Sequence, residues 1–297
     1  MKTIECVPNF SEGRKEDTIQ ALAQAVREIT GVRLLNASAD VDHNRCVLTL
    51  MAPPGLIVKG AMAAAEEALR RIDMRRHRGI HPRIGAVDVV PFIPLDGASM
   101  DEAVEAAHGF GHEFGKRTGI PVYFYGEAAL KPERRQLHDI RRGGYETLAS
   151  RLRDPTWHPD AGEAVFNEKW GATAVGARIP LVAFNVNLDS EDLALAKEIA
   201  CAIRESSGGV PCVKAIGLSL ASKKKVQISM NLTDYRKTSM RLVFDLINEL
   251  ARARGVAVLH SELIGLVPRD ALADSPPGYL KLIDFSADRI IETHLRD

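Results

Sequence analysis

The chain has 297 residues, of which 45% are hydrophobic and 26% are charged, so it can bury one large core or two smaller ones without metal or disulfide support. Its 39 Lys and Arg residues balance its 39 Asp and Glu residues, which leaves no net field to gather nucleic acid or an anionic membrane. We therefore expect two domains and small polar ligands, and neither a nucleic-acid nor a membrane partner.

Cysteine usage and the amino terminus indicate where the protein works. Cys6, Cys46, Cys201 and Cys212 are far apart and show no C-x-x-C spacing, which favours reduced thiols in a cytoplasmic protein. Pro8 interrupts the amino terminus before an apolar run could form a signal-peptide core. No apolar run reaches the roughly eighteen residues of a membrane span. We expect a cytoplasmic protein.

The first half of the chain predicts strands that alternate with helices. Strands are expected at Ile4–Val7, Val32–Leu35, Cys46–Met51, Ala86–Phe92 and Pro121–Tyr125, and helices at 15–29, 54–73 and 99–119. Ser99 and Glu102 have the spacing of a capping box, and Gly119 is placed to end the third helix. The first six elements have the order βαββαβ, which predicts a sheet with both helices on one face. One more helix and strand follow.

The second half repeats this order. Strands are expected at 181–186, 213–220, 226–233 and 256–259, with helices at 189–205 and 238–254. The strand from Val226 alternates apolar with polar residues, so one of its faces is buried. We therefore predict an α/β (α+β) protein of two subdomains, residues 1–178 and 179–297. Each is expected to form a mixed sheet of split βαββαβ type with helices on its outer face and a ligand site between the two sheets.

A long irregular segment separates these patterns. Residues 131–171 contain two Arg pairs, several Gly and Pro residues and both tryptophans. This composition predicts a connection with a short helix inside it. Long loops of this kind are often functional.

The densest group of candidate functional residues lies just before the strand at Ala86. Residues 74–94 read MRRHRGIHPRIGAVDVVPFIP and place two histidines among four arginines. Guanidinium groups bind anions, and an imidazole exchanges protons near neutral pH. His81 precedes Pro82, which restricts its backbone to extended conformations. We predict an anion site with two candidate bases, His77 and His81; the alternative is a solvated basic loop.

A second group, residues 38–45, connects two predicted strands. Asp40, Asp42 and His43 could hydrogen-bond an imidazole or a ligand amine, although the same residue types form ordinary turns. A metal site is the rival hypothesis, because His77 and His81 have the spacing of ligands on a helix. The glycine and proline in that loop argue against a helix, and the chain has no HExxH or Cys-rich pattern. We expect no metal.

A third group spans residues 162–178, GEAVFNEKWGATAVGAR. Phe166 and Trp170 stand among small residues, with Lys169 and Arg178 nearby. Aromatic rings can sandwich a flat heterocycle while the cations bind its carboxylates. The alternative interpretation is a linker between domains whose Trp packs into a core.

Several motifs resemble the formiminotransferase domain family. They occur in the order ECVPNFSEG, DHNRCVLTL, RRHRGIHPRIGAVDVVPFIP, PVYFYGEAA and WGATAVGARIPLVAFNVNL, from Glu5 to about Pro268. The chain resembles the free-standing bacterial type of this family, which has no cyclodeaminase domain. The resemblance implies transfer of a formimino group from N-formimino-L-glutamate to N5 of tetrahydrofolate, giving 5-formiminotetrahydrofolate and L-glutamate, in histidine degradation. It also implies a homodimer and two sheets facing each other across a ligand tunnel.

The resemblance also assigns roles to residues. His81 falls on the family's catalytic histidine, which can take the N5 proton and then protonate the departing glutamate nitrogen. The family's folate-binding stretch falls on Gly162, Glu163, Ala164, Val165, Phe166, Asn167, Glu168, Lys169, Trp170 and Gly171. Ser38 stands where vertebrate members carry an acidic residue thought to assist the histidine, so Asp40 or Asp42 is the candidate substitute.

Further residues are expected to contact the substrates, and two alternative functions remain open. Tetrahydrofolate, in polyglutamylated form, is expected as co-substrate. Positioning or substrate contacts are expected from Asp40, Asp42, His43, Asn44, Arg45, Arg83 and Arg178, with the arginines binding carboxylates through two hydrogen bonds each. One alternative is formyl transfer between N-formylglutamate and 5-formyltetrahydrofolate. Another is a folate-binding protein without catalysis. Residues 272–297 match the family least.

Overall fold

The computed structural model describes residues 2–295. The chain divides between Arg178 and Ile179 into two compact units, and each unit contains one sheet with helices. This is the α/β class that the sequence predicted. Every helix within residues 2–295 is too short or too polar to span a lipid bilayer.

The first unit forms a seven-stranded mixed sheet in its described residues. Its strands are β1 (Ile4–Cys6), β2 (Asn9–Phe10), β3 (Arg33–Asp40), β4 (Arg45–Ala52), β5 (Val87–Pro94), β6 (Val122–Gly126) and β7 (Thr173–Ala177). Its main helices are α1 (Glu16–Arg27), α2 (Pro54–Arg71) and α3 (Met100–Thr118). Across the sheet the order is β3, β4, then β1 and β2 together, β5, β7 and β6. The pairs β5–β7 and β7–β6 are parallel, and the other pairs are antiparallel.

The core of the first unit lies between its sheet and the three helices. Cys46, Leu48 and Leu50 of β4 are fully buried in this core, while Arg45 and the residues that alternate with this set belong to the other face. The predicted capping box is present, because the Ser99 side chain accepts a hydrogen bond from the Glu102 N–H. Gly119 caps the same helix with φ of 70°, a left-handed conformation that glycine adopts without strain.

Three strands differ from the sequence prediction. β3 continues through Asp40, whereas the sequence predicts a strand that ends at Leu35, and the turn to β4 is confined to residues 41–44. Pairing with the buried β4 outweighs the low strand propensity of Asn, Ser and Asp. The first strand was predicted at Ile4–Val7 and is found at Ile4–Cys6, and the short strand β2, which follows Pro8, was not predicted. Pro8 has no N–H to donate, so it separates the two strands. β7 was not predicted, because its Ala and Gly content resembles a loop.

The irregular segment of residues 131–171 forms short helices, as predicted. These are α4 (Leu137–Ile140), α5 (Leu148–Arg151) and single turns of 3₁₀ helix at 132–134, 145–147 and 155–157. Ile140, Leu148 and Leu152 pack with Tyr123 and Tyr125 of β6. Since Phe124 of β6 belongs to the helix-side core, this segment covers the opposite face of the sheet at that end.

The second unit forms a four-stranded sheet in its described residues. Its elements are β8 (Val182–Leu188), α6 (Leu193–Ile203), β9 (Val213–Leu220), β10 (Lys225–Leu232), α7 (Met240–Arg252) and β11 (Val258–Ile264). The strand order β11-β8-β10-β9 is that of a ferredoxin-like βαββαβ unit. All pairs are antiparallel, so the expectation of a mixed sheet was wrong for this unit. The strands joined through a helix are not neighbours, since β10 separates β8 from β9.

Two glycines of α3 provide a matched test of how closely this helix packs against the backbone of residues 161–162. A Cβ at Gly115 would lie 2.6 Å from the backbone nitrogen of Gly162, whereas one at Gly109 would meet open space. We expect Gly115→Ala to lower the free energy of unfolding by about 1–2 kcal/mol, because backbone cannot give way cheaply. Gly109→Ala is expected to raise it by about 0.5–1 kcal/mol. Urea denaturation measures both, and changes of the same sign would contradict the close packing of α3 on the 161–162 backbone.

Candidate active site

A small polar pocket lies in the first unit. It is lined by residues from the end of β2, the β3–β4 turn, the start of β4, the basic loop and β5: Ser11, His43, Asn44, Arg45, His77, His81, Arg83 and Asp88. The fold therefore brings together two of the groups that were predicted separately, the basic loop and the 38–45 segment. His81 and Arg45 lie next to each other in it.

Asn44 holds the turn between β3 and β4 in place. Its φ of 49° is left-handed, a conformation that Asn tolerates better than most residues. Its Oδ1 accepts from the Gly13 N–H at 2.9 Å, and its Nδ2 donates to the Arg78 carbonyl at 2.9 Å. The turn is thereby tied both to the loop after β2 and to the basic loop.

Two glycines allow these loops to approach the turn. A Cβ at Gly13 would lie 2.2 Å from the Asp40 carbonyl oxygen, and one at Gly79 would lie 2.3 Å from the His43 carbonyl oxygen. Any larger residue would push the loops away from the turn. Asp40 adds a local bond, since its Oδ1 accepts from the His43 N–H at 2.7 Å.

His77 has a structural position in this arrangement. It is buried, and its Nδ1 lies 3.2 Å from Arg83 Nε, a group that can only donate. Nδ1 must therefore accept, so Nε2 carries the proton and donates to the Asn44 carbonyl at 2.8 Å. Burial lowers the pKa of His77, which agrees with a neutral ring. Of the two candidate bases, His77 is occupied in orienting Arg83 and the turn.

His81 is the second candidate base, and two neighbours contact its ring. Nδ1 lies 2.8 Å from the Pro82 carbonyl oxygen, which can only accept. Arg45 Nη1, which can only donate, lies 2.6 Å from Nδ1 and 2.9 Å from Nε2. The two neighbours of Nδ1 therefore require opposite roles of that atom. In either tautomer, the lone pair on the unprotonated ring nitrogen is the basic site of His81.

Burial lowers the pKa of His81 well below its usual range, and the neighbouring Arg45, Arg141 and His43 act in the same direction. The hydrogen bond to the Pro82 carbonyl opposes this. His81 is consequently neutral at pH 7 and able to accept a proton. Its ring centroid lies 5.6 Å from that of His43.

Arg45 is held by Asn9, whose Oδ1 accepts from both its Nε, at 2.8 Å, and its Nη2. Burial, together with the nearby Arg141, lowers the pKa of Arg45 to about 9. That value still leaves the guanidinium charged at neutral pH. The pocket thus contains a cation in direct contact with a neutral imidazole.

Asp88 and Arg141 are site residues that the sequence analysis did not identify. Asp88 is buried on β5, where its Oδ1 accepts from the Ile84 N–H at 2.8 Å and its Oδ2 accepts from Arg141 Nη2. A lone Asp within the apolar run of β5 is a signal that could have been used. Arg141 gives no comparable signal, because it lies far along the irregular segment.

The other predicted arginines have partners of their own. Arg83 forms two hydrogen bonds with Glu146, at 2.9 and 2.5 Å, so its guanidinium fork already holds a carboxylate. Arg178 is placed beside Glu5 and Tyr125 rather than in the lining of the pocket. Burial raises the pKa of Glu5 to about 7, and Arg178 opposes that rise.

The predicted folate-binding stretch, residues 162–171, has two parts. Residues 162–165 are exposed, and the Val165 side chain keeps 63% of its surface accessible. The end of the stretch docks beside the basic loop, because the Ala86 N–H donates to the Trp170 carbonyl at 2.9 Å. Trp170 Nε1 donates to the Leu69 carbonyl at 2.9 Å, and its ring packs against the main core. Phe166 packs on Tyr145, with ring centroids 5.4 Å apart.

Within residues 2–295 no group of three or more His, Cys, Asp or Glu side chains is arranged to hold a metal ion.

Both halves of the chain match a known protein family. The formiminotransferase domain, N-terminal subdomain, matches residues 3–178, and the formiminotransferase domain matches residues 183–292. Glutamate formimidoyltransferase of Streptococcus pyogenes serotype M1 is 41% identical over 99% of each chain. That of Thermoplasma acidophilum is 42% identical over 98% of this chain and 97% of its own. Formimidoyltransferase-cyclodeaminase of Gallus gallus is 43% identical over 94% of this chain, which spans 53% of that protein.

The role of Asn44 can be tested with two substitutions. Asn44→Ala and Asn44→Gly both remove the bonds to Gly13 and Arg78, so both are expected to lower the free energy of unfolding by about 1–3 kcal/mol. Ala is also strained at positive φ, so it is expected to cost about 1–2 kcal/mol more than Gly. Thermal or urea unfolding measures this difference. Equal stability of the two variants would show that the turn relaxes to an ordinary conformation.

The electrostatic state of His81 gives a second prediction. Arg45→Gln removes a positive charge that lowers the pKa of His81, so the pKa is expected to rise toward its usual value. The acidic limb of any activity that needs the neutral ring would then move to higher pH. Histidine NMR over a pH series measures the pKa directly, with Arg27→Gln on exposed α1 as the control. An unchanged pKa would show that the charge of Arg45 does not contribute to lowering it.

Proposed function

Because the chain belongs to the formiminotransferase domain family, we propose that it is a glutamate formimidoyltransferase. It transfers the formimino group of N-formimino-L-glutamate to N5 of tetrahydrofolate and releases L-glutamate, a step of histidine degradation. The observation that carries this proposal for the chain's own residues is the neutral His81 imidazole beside Arg45. Such a pair suits a reaction in which a dicarboxylate donor must bind next to a base.

The chemistry needs one base that becomes an acid. The lone pair of N5 attacks the formimino carbon, so a C–N bond forms while the π pair of the C=N bond moves to the imino nitrogen, and the unprotonated ring nitrogen of His81 takes the N5 proton. The imidazolium then gives that proton to the glutamate nitrogen, whose bond to the same carbon breaks as the C=N double bond forms again. A positioned acid/base of this kind contributes about 100- to 10,000-fold to the rate. Holding both substrates in one site contributes further.

Arg45 is the best candidate for the donor's carboxylate. Its Nη1 lies against Nε2 of His81, so a substrate carboxylate that attracts the guanidinium also uncovers the base. Arg83 is a weaker candidate, because Glu146 already occupies its fork. Arg178 could bind a second carboxylate beside Glu5. Asp40, Asp42, His43 and Asn44 would then act by holding the turn that positions Arg45.

Folate binding is assigned to residues 162–171. Support comes from the exposed side chains at its beginning, which are available to a ligand, and from the docking of its end against the basic loop. The polyglutamyl tail of tetrahydrofolate would meet cations such as Lys169, which lies 5.0 Å from the Trp170 ring centroid. No metal is required by this chemistry.

Two further proposals concern the state of the protein. We place it in the cytoplasm, which agrees with four free cysteine thiols. A homodimer is expected from the family resemblance, and sedimentation velocity measures it. The tunnel between the two sheets remains a prediction of the same kind.

The decisive experiment compares His81→Ala with the wild type in an assay of N-formimino-L-glutamate and tetrahydrofolate that follows 5-formiminotetrahydrofolate. We expect kcat to fall by about 100- to 10,000-fold, because the acid/base is lost. His138→Ala is the matched control, since this side chain is exposed in the same unit. It is expected to retain wild-type turnover.

Each other outcome selects a different function. Turnover of N-formylglutamate with tetrahydrofolate, without turnover of the formimino donor, would identify the formyl-transfer alternative. Folate binding without turnover of either donor would identify a binding protein. Full activity of His81→Ala would show that another group is the base.

A further inference from the structure

A second polar group lies on the sheet of the second unit. Asn187 on β8, Gln227 on β10 and Glu262 on β11 form it, and we name these three the amide–carboxylate cluster. Gln227 is the register partner of Asn187 across β8 and β10. Their strand neighbours, such as Val186 and Val226, are in the core formed with α6 and α7. The cluster therefore projects from the sheet face away from those helices.

Hydrogen-bond direction is fixed through the cluster, starting from the carboxylate. Glu262 only accepts, so Asn187 turns its Nδ2 toward Glu262 Oε1, at 3.1 Å. Asn187 Oδ1 then faces Gln227 and accepts from its Nε2 at 3.0 Å. Both amide orientations follow from this order. Gln227 Oε1 is left as an acceptor that points away from Asn187.

Two acceptor atoms of the cluster keep unused capacity. Gln227 is fully buried, and its Oε1 has no hydrogen-bond partner. Glu262 Oε1 accepts hydrogen bonds from Asn187 Nδ2 and from Lys223 Nζ, each at 3.1 Å, and His260 Nε2 lies 3.4 Å from the same oxygen. Glu262 Oε2 has a single long contact, 3.4 Å from Gln227 Nε2. A buried acceptor without a partner costs about 1–3 kcal/mol, which a bound donor would recover.

These acceptors match one kind of ligand. A carboxylate oxygen beside an amide oxygen accepts from a planar edge that carries two N–H groups, as in an amidine or a 2-amino-4-oxopyrimidine ring. Lys223 and His260 are gathered at the other carboxylate oxygen, so they leave Oε2 available. We propose that the amide–carboxylate cluster binds such an N–H edge through Glu262 Oε2 and Gln227 Oε1.

This inference rests on the proposed function, since both of its substrates carry an edge of this kind. Tetrahydrofolate has it on the pterin ring, and N-formimino-L-glutamate has it on the formimino group. The test separates the two sources. Glu262→Gln keeps the shape of the side chain but replaces one acceptor oxygen by a donor. Gln227→Met removes the unpartnered oxygen.

For each variant, kcat, the KM of each substrate and the melting temperature are measured. We expect the KM of one substrate to rise by about 10- to 100-fold, as for the loss of a hydrogen bond to a charged group. The KM of the other is expected to stay within about twofold. A rise for tetrahydrofolate identifies the pterin, and a rise for the donor identifies the formimino group. Glu249→Gln, an exposed carboxylate on α7, is the matched control.

Two outcomes overturn the inference. One is that both KM values stay within about twofold of wild type in folded variants; the other is an equal rise in both, which reports general loss of structure. If wild-type protein shows no turnover, the proposed function fails by itself. Dissociation constants of 5-formyltetrahydrofolate and N-formimino-L-glutamate then decide the inference: weaker binding of one of them in Glu262→Gln supports it, and unchanged binding of both overturns it.

Discussion

The close contact between the β3–β4 turn and two glycine-containing loops is the constraint on which the pocket depends. The side chain of Asn44 bonds to Gly13 and Arg78, and its carbonyl bonds to His77. These bonds join segments far apart in sequence, and no side chain at Gly13 would fit between them. Arg45 follows Asn44 directly, so the turn determines where its guanidinium lies. The chemistry of the pocket is therefore set by backbone geometry first.

The surroundings of His81 favour the neutral imidazole over the protonated imidazolium. Nδ1 lies against the carbonyl of Pro82, a neutral partner that adds no negative charge beside the ring. A carboxylate at that position would raise the pKa and hold the proton. Asp88 lies in the same pocket, but its carboxylate is bonded to the Ile84 N–H and to Arg141. It therefore balances the charge of a neighbouring cation.

The sequence predicted the elements whose signals are local. Ser99, Glu102 and Gly119 fixed the ends of α3, and strict alternation identified β10. β3 was predicted too short, because pairing with β4 is not visible in the Asn-Ala-Ser-Ala-Asp stretch itself. The site shows the same division. His81 and Arg45 stand in motifs that could be recognised, whereas the contact of Asp88 with Arg141 joins residues from separate segments, and only the folded chain brings them together.

The two units share the βαββαβ order, yet the sheet faces turned away from their helices carry opposite chemistry, and electrostatics gives a reason. Neighbouring cations favour the neutral form of an imidazole, as Arg45 does for His81. Recognition of an N–H edge needs acceptors, and the strongest of them is a carboxylate. A carboxylate placed against His81 would raise its pKa and weaken its neutral form. Because Glu262 is on a separate sheet and does not line the His81 pocket, the two proposed roles do not oppose each other.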